Sequence, residues 1–243
     1  MKKIFLLLII LVSTFFINGS YTSADNNSEN SGNNSEKIVN ILLEKERAKY
    51  INMYQEIYKK SVIQQIEFES EIIIPDYFDF KYIEYTYNVA NQLGLTTRVA
   101  FRLMFRESSF INTIISPKGA KGLMQLMPDT RNLYYKALRV DTLHLDKNQE
   151  DIYIGMNYMK DLHAYWCKKG NSENYSWKLS LASYNAGTGS VLKYKGIPPY
   201  KETNEFILYI LRSHSNPSFY SKLILKREKY ENRNTIHTLR NLF

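Results

Sequence analysis

Between Glu150 and Lys168, Ile152, Gly155, Met159, Leu162 and Trp166 recur at alternating spacings of three and four. That period puts all five on one stripe of an α-helix, and a strand, whose side chains alternate every second residue, has no use for it. A glycine within the stripe predicts close approach of a neighbouring helix at Gly155. The flanking punctuation is helical as well. A helix is predicted from about Tyr82 to Leu93, with Gly94 placed to end it. Thr96 reads as the cap of a helix over Thr97 to Ser108. Pro128-Asp129-Thr130 opens another, Asp129 lying where the N-terminal amides favour a carboxylate. Ser176 is expected to cap a helix through Ala186, stopped by Gly187 and Gly189, and Thr203 one reaching about His214. Strand signals are scarce, so the fold class is mainly α.

The N-terminal third is organised differently. Lys2 and Lys3 precede an apolar run from Ile4 to Val12 that resumes at Phe15 to Ile17, and Thr22-Ser23-Ala24 offers a cleavage site. Residues 1–24 therefore read as a secretory signal peptide. The apolar core of about fourteen residues is shorter than the roughly twenty a membrane span needs. Residues 25–35 (DNNSENSGNNS) carry no large apolar side chain and read as a flexible linker. From Glu36 to about Ser70 a long helical pattern returns, with Val39, Leu42, Leu43, Tyr50, Met53, Tyr54 and Ile57 near one side, until Pro75 breaks it. Residues 36–79 are thus an N-terminal helical extension, expected to pack on the domain that comes next. Residues 80–212 form that domain, and residues 213–243 a basic C-terminal tail.

Composition narrows the chemistry. Cys167 is the only cysteine, so no disulfide can form within the chain, and 44% hydrophobic residues must supply the core instead. His144, His163, His214 and His237 lie far apart, outside any H-E-x-x-H or Cys-His zinc spacing, so no metal and no cofactor is expected. The net charge of +8 suits an anionic polymer such as the cell wall, but equally nucleic acid or lipid head groups, and discriminates weakly.

One carboxylate stands out. Arg98, Arg102 and Arg106 stand four apart on the helix ending near Ser108, and read as its wet stripe. Glu107 projects about 140° from the centre of that stripe, beside Ala100, Leu103 and Met104. An acid on the apolar face loses solvation, and its pKa rises. A carboxyl that keeps its proton near neutral pH can act as a general acid toward a glycosidic oxygen. Glycosidases ordinarily pair two carboxylates. No Asp or Glu occurs between Glu107 and Asp129, which leaves a one-carboxylate site, or a partner from Asp141, Asp146 or further away.

Three segments occur in order: Glu107-Ser108-Ser109-Phe110, then Ser116 to Pro128 (SPKGAKGLMQLMP), then Ala182-Ser183-Tyr184-Asn185-Ala186-Gly187. Over about Phe80 to Arg212 the chain resembles the Slt-type (family 1) lytic transglycosylases, which cut the glycan strands of bacterial peptidoglycan. The resemblance implies a lysozyme-like helical domain with Glu107 as the catalytic acid and base. It implies substrate contacts from Ser116, Gln125, Met127, Tyr184 and Asn185, with Gly119 and Gly122 keeping the backbone path clear. Gln125 would offer both a donor and acceptors, and Tyr184 would hydrogen-bond or stack on a sugar. It further implies cleavage of the MurNAc–GlcNAc β-1,4 bond with 1,6-anhydroMurNAc ends, in the periplasm or cell envelope, with glycan strands rather than nucleic acid as partner and a cell-envelope assembly as a further one. A hydrolase of the same fold and a non-catalytic wall-binding protein are the alternatives. Two positions depart from the family pattern: Phe206 stands where a Tyr is usual after Glu202-Thr203, with Tyr209 one turn later, and Asp151 precedes Ile152 where Asn is preferred.

Overall fold

A computed structural model describes residues 32–212, with side chains from Lys37 onward. The expected signal peptide, most of the linker and the basic tail lie outside the described residues. The described elements are helical: α1 (Gly32–Ser70), α2 (Phe80–Leu93), α3 (Thr97–Ser108), α4 (Pro128–Ala137), a 3-10 turn (Val140–Thr142), α5 (Lys147–Lys168), α6 (Glu173–Ala186), α7 (Thr188–Lys193) and α8 (Lys201–Leu211). The mainly α expectation holds. β-pairing among these residues is confined to two single bridges, Ile115 with Lys121 and Lys121 with Leu126. None of the described helices is long and apolar enough to cross a membrane.

The chain divides into two compact units between Gln55 and Glu56, inside α1 and inside the stretch read as an extension. Helix α1 starts at Gly32, within the stretch read as linker. Its large apolar side chains from Ile38 to Ile57 are exposed. From Tyr58 onward the helix joins the core of the second unit: Val62 and Ile66 are buried, and Tyr58 and Ile63 pack against that core. Glu67 accepts the backbone N–H of Ile74 at 2.8 Å, holding the turn that brings the chain from α1 towards α2.

Several ends fall where the residues predicted. Gly94 takes φ +71 and its N–H returns to Ala90 and Asn91, ending α2 in a left-handed cap. Thr96 Oγ1 accepts the Val99 N–H at the start of α3. Other ends move. Asp146, not foreseen as a cap, starts α5 with a reciprocal capping box to Gln149. Ser172, not Ser176, caps α6, while Ser176 is fully buried inside it. Helix α8 begins at Lys201 behind Tyr200, and Thr203 is buried in its first turn rather than capping it. Gly187 does end α6, whereas Gly189 lies inside the short helix α7.

The central correction concerns Arg102. The arginine stripe of α3 is not uniformly wet: Arg102 is 1% exposed. Its Nε donates to the Ser70 carbonyl at 2.6 Å, Nη2 to Glu71 Oε2 at 2.8 Å, and Nη1 to the carbonyls of Tyr209, Ile210 and Arg212. The last carbonyls of a helix lack intrahelical partners. A guanidinium with five donors meets that need at the ends of α1 and α8 together. Arg98 reaches the same Glu71 from one turn earlier at 2.9 Å.

Candidate active site

Glu107 is the last residue but one of α3, and the sharp turn after the helix fixes its position. Ser109 and Phe110 both adopt left-handed backbone conformations, φ +51 and +63, so the chain reverses at once. Phe110 turns into the core and stacks on Phe78 with centroids 4.6 Å apart. The Ser109 carbonyl accepts the Tyr77 hydroxyl at 2.7 Å. Glu107 itself is half-buried and makes no hydrogen bond with any described residue. Burial pushes its carboxyl up to about 8; the Arg106 charge pulls it down and the Glu202 charge raises it. Desolvation dominates because no donor is aimed at the charged form. The raised pKa inferred from the helix face is present, although the face opposite it is sealed by Arg102 rather than wet.

The Gly-rich segment folds into a hairpin-like loop. Ser116 donates its backbone N–H to the Ala120 carbonyl and its Oγ accepts the Ala120 N–H at 3.0 Å, so it closes the first turn. Gly119 and Gly122 take φ +89 and +82. Gly122 is required twice over, since a Cβ there would meet Asp151 Oδ2 at 2.5 Å. Gln125, at φ +46, donates both amide hydrogens to backbone, to the carbonyls of Ile114 and Gly122 at 2.9 Å each. Its donors are therefore spent on the loop, and Oε1 is what remains for a ligand. Met127 precedes α4 and is 44% exposed.

Beneath this loop lies Asp151, 2% exposed, one of the two departures noted in the sequence. Its Oδ2 accepts the Met124 N–H at 2.9 Å and its Oδ1 accepts from Arg131 at 2.6 Å. Burial raises its carboxyl, and those two partners oppose the rise. Gly155, expected to face a neighbouring helix, faces Met124 of this loop instead, with a built Cβ 2.6 Å from the methionine Cβ. The stripe on α5 is thus the floor on which the loop rests.

Helix α6 brings the third segment to the same place. The Tyr184 hydroxyl donates to the Met124 carbonyl at 2.8 Å. Burial raises the Tyr184 phenol well above its ordinary range, and the charges of Glu107 and Asp151 raise it further. Asn185 Oδ1 accepts the buried Thr203 hydroxyl at 2.7 Å, which ties α6 to the start of α8, where Glu202 stands. Thus Glu107, the loop and Tyr184 converge, while Asn185 acts between helices and Met127 lies at the exposed rim. Asp141 and Asp146 do not supply the second acid whose field reaches Glu107; the exposed Glu202 does. Two further groups escaped the sequence reading: Tyr158 packs on Tyr184 at 5.2 Å, and Tyr134 packs edge-on against Tyr158 at 5.3 Å. Only the chain crossing of α4, α5 and α6 aligns them. Phe206 is buried in the core, and the Tyr209 ring stacks on Phe105 at 6.2 Å beside Arg102.

Residues 84–207, just over half of the chain, match the family described as Transglycosylase SLT domain. This chain belongs to that family. Among curated proteins it is similar to a membrane-bound lytic murein transglycosylase C from Haemophilus ducreyi, 29% identical over 118 residues that cover 46% of this chain and 32% of that one. Among solved structures it is similar to an inactive mutant of the lytic transglycosylase Slt from Pseudomonas aeruginosa, at 26% identity and TM-score 0.45. It is also similar to the 70 kDa soluble lytic transglycosylase from Escherichia coli, at 24% and 0.44. Each of these two matches covers 55% of this chain and 23% of the other. The chain spans about a third of the length of the curated relative it matches.

Proposed function

We propose that this chain is a murein lytic transglycosylase that cleaves the MurNAc–GlcNAc β-1,4 bond of peptidoglycan and leaves 1,6-anhydroMurNAc ends. The observation that carries this reading is Glu107: half-buried, without a hydrogen-bonding partner among the described residues, its carboxyl pushed up to about 8 by burial. Such a carboxyl donates its proton to the glycosidic oxygen as that bond breaks. The sugar's own N-acetyl group shares the positive charge left at C1. Glu107, now ionised, takes the proton of the C6 hydroxyl as that oxygen bonds to C1. One proton leaves the side chain and one returns, and no water is consumed.

The remaining assignments rest on which groups are still available. Ser116 accepts from Ala120 and keeps its own hydroxyl hydrogen for an N-acetyl carbonyl. Gln125 presents Oε1 to an amide or hydroxyl of the sugar, and Met127 an apolar rim. Tyr184, with Tyr158 and Tyr134 behind it, offers an aromatic flank for a sugar ring. Asn185 positions the start of α8. The leader at residues 1–24 supports export to the periplasm or cell envelope, and the name of the Haemophilus relative supports an envelope setting. The catalytic unit in this reading runs from Glu56 to Arg212.

A second reading has an observation in its favour. The Glu202 carboxylate is close enough to act on Glu107, and a base there could activate water, as in an inverting hydrolase. Mass spectrometry of purified sacculi digested with the protein separates the two. Anhydromuramoyl ends support the lyase, and reducing ends carrying one added water overturn it in favour of the hydrolase.

A further inference from the structure

The only cysteine of the chain, Cys167, is one helical turn from His163 on α5, and Glu173, the first residue of α6, comes back beside both. Their ligating atoms all lie within 4.8 Å of one another. His163 Nε2 is 3.6 Å from Cys167 Sγ and 3.3 Å from Glu173 Oε1, and the Cys167 sulfur is 3.7 Å from Glu173 Oε2. Tetrahedral zinc, with bonds of about 2.0–2.3 Å to nitrogen, oxygen and sulfur, holds such atoms about 3.3–3.6 Å apart. These separations are close to the edges of a zinc-sized centre, with Glu173 turning one carboxylate oxygen to the imidazole and the other to the sulfur. We propose that His163, Cys167 and Glu173 form a binding site for a thiophilic divalent transition metal of the zinc class, with solvent in the fourth position.

The neighbours hold the ligands in place. The Trp177 ring stacks on His163 with centroids 3.8 Å apart and 18° between planes, and its indole N–H donates to Glu173 Oε1 at 3.1 Å. One aromatic side chain thus fixes two of the three ligands, which is how outer groups orient metal sites. Thiolate with imidazole selects zinc-like metals over magnesium or calcium, which prefer oxygen. Glu173 is 72% exposed, so a metal has an open path in.

The site pins the loop joining α5 to α6. It lies at the opposite end of α6 from Tyr184, about 16 Å along the helix axis, so it acts on stability rather than on the chemistry at Glu107. The purified full-length protein, stripped with a chelator, is titrated with Zn2+ under native mass spectrometry and with Co2+ in an absorption spectrometer. The expected results are one metal per chain and a thiolate-to-cobalt charge-transfer band. Saturating zinc is expected to raise Tm by several degrees. Cys167→Ser abolishes the band and the Tm shift, and His163→Gln weakens zinc binding at least tenfold, with helical circular dichroism retained in both. Glycan cleavage below the melting transition stays the same with and without metal. The proposal is overturned by absence of one-to-one binding, by equal zinc affinity in the two variants and the wild type, or by metal held only between two copies of the chain.

Discussion

Arg102 and Glu107 lie five residues apart on α3, and the protein treats their charges in opposite ways. The guanidinium of Arg102 is enclosed and each of its nitrogens has an acceptor, supplied by Glu71 and by the carbonyls of two helix ends. The Glu107 carboxyl is half-buried with no donor aimed at it, and it responds by keeping its proton to about 8. A buried charge that is paired organises the fold, whereas one left unpaired becomes a reagent. The same helix carries both because its two faces meet different neighbours: the C-terminal ends of α1 and α8 on one side, Tyr184 and the start of α8 on the other.

Removing the reagent gives the largest effect. Glu107→Gln keeps the shape and loses the proton donor, and glycan cleavage on sacculi should fall roughly 10²- to 10⁴-fold. Stability should move the other way. A carboxyl whose folded pKa exceeds its unfolded value stabilises the native state least once pH passes the folded value. The wild type therefore loses stability between about 4.5 and about 8, and the variant, which has no such group, does not. Melting curves of both proteins from pH 4 to 9 should diverge with rising pH; parallel curves would contradict the assignment.

Removing the organiser comes next. Arg102→Met removes the guanidinium that Glu71 shares with Arg98 and that the α8 carbonyls accept from, and should cost about 3–5 kcal/mol in denaturant unfolding. Loss of less than about 1 kcal/mol would mean that water replaces the guanidinium, and the contrast between the two charges would weaken.

Asp151 sits between these extremes, buried and paired yet directly under the substrate loop. Asp151→Ala strands the Met124 N–H and should cost about 2 kcal/mol, whereas Asp151→Asn keeps an acceptor and should recover most of that. Gly155→Ala should cost a similar amount, about 1–3 kcal/mol from forcing Met124 away. Because Met124 also receives Tyr184, that variant should raise KM for glycan strands as well as lower Tm.

Much of the helical frame was legible because its signals are local. Thr96, Gly94 and the stripe from Ile152 to Trp166 act through neighbours within one or two turns, and α3 ended where its residues indicated. The acidity of Glu107 was legible for the same reason, since the face of one helix sufficed. Arg102 was not, because its partners are 31 to 110 residues away and only the packed chain brings them to one point. Gln125 was expected to offer substrate both a donor and acceptors; the left-handed turn at that position directs both hydrogens into the loop and leaves only the acceptor. One helix cap slipped: Ser176 was expected to start α6, but it is buried inside the helix and Ser172, one turn earlier, caps it instead. His163 and Cys167 were read as outside any zinc spacing, and Glu173 joins them only after the chain turns between α5 and α6.

The proton on Glu107 is the premise beneath the rest, and it can be observed directly. With glutamate labelled at the side-chain carboxyl carbon, 13C resonances followed from pH 3 to 10 in wild type and in Glu107→Gln identify the one signal that the substitution removes. The account predicts a midpoint of about 8 for that signal. A midpoint at or below an ordinary glutamate's value of about 4.3 would mean a carboxylate already ionised at neutral pH, with no proton to give.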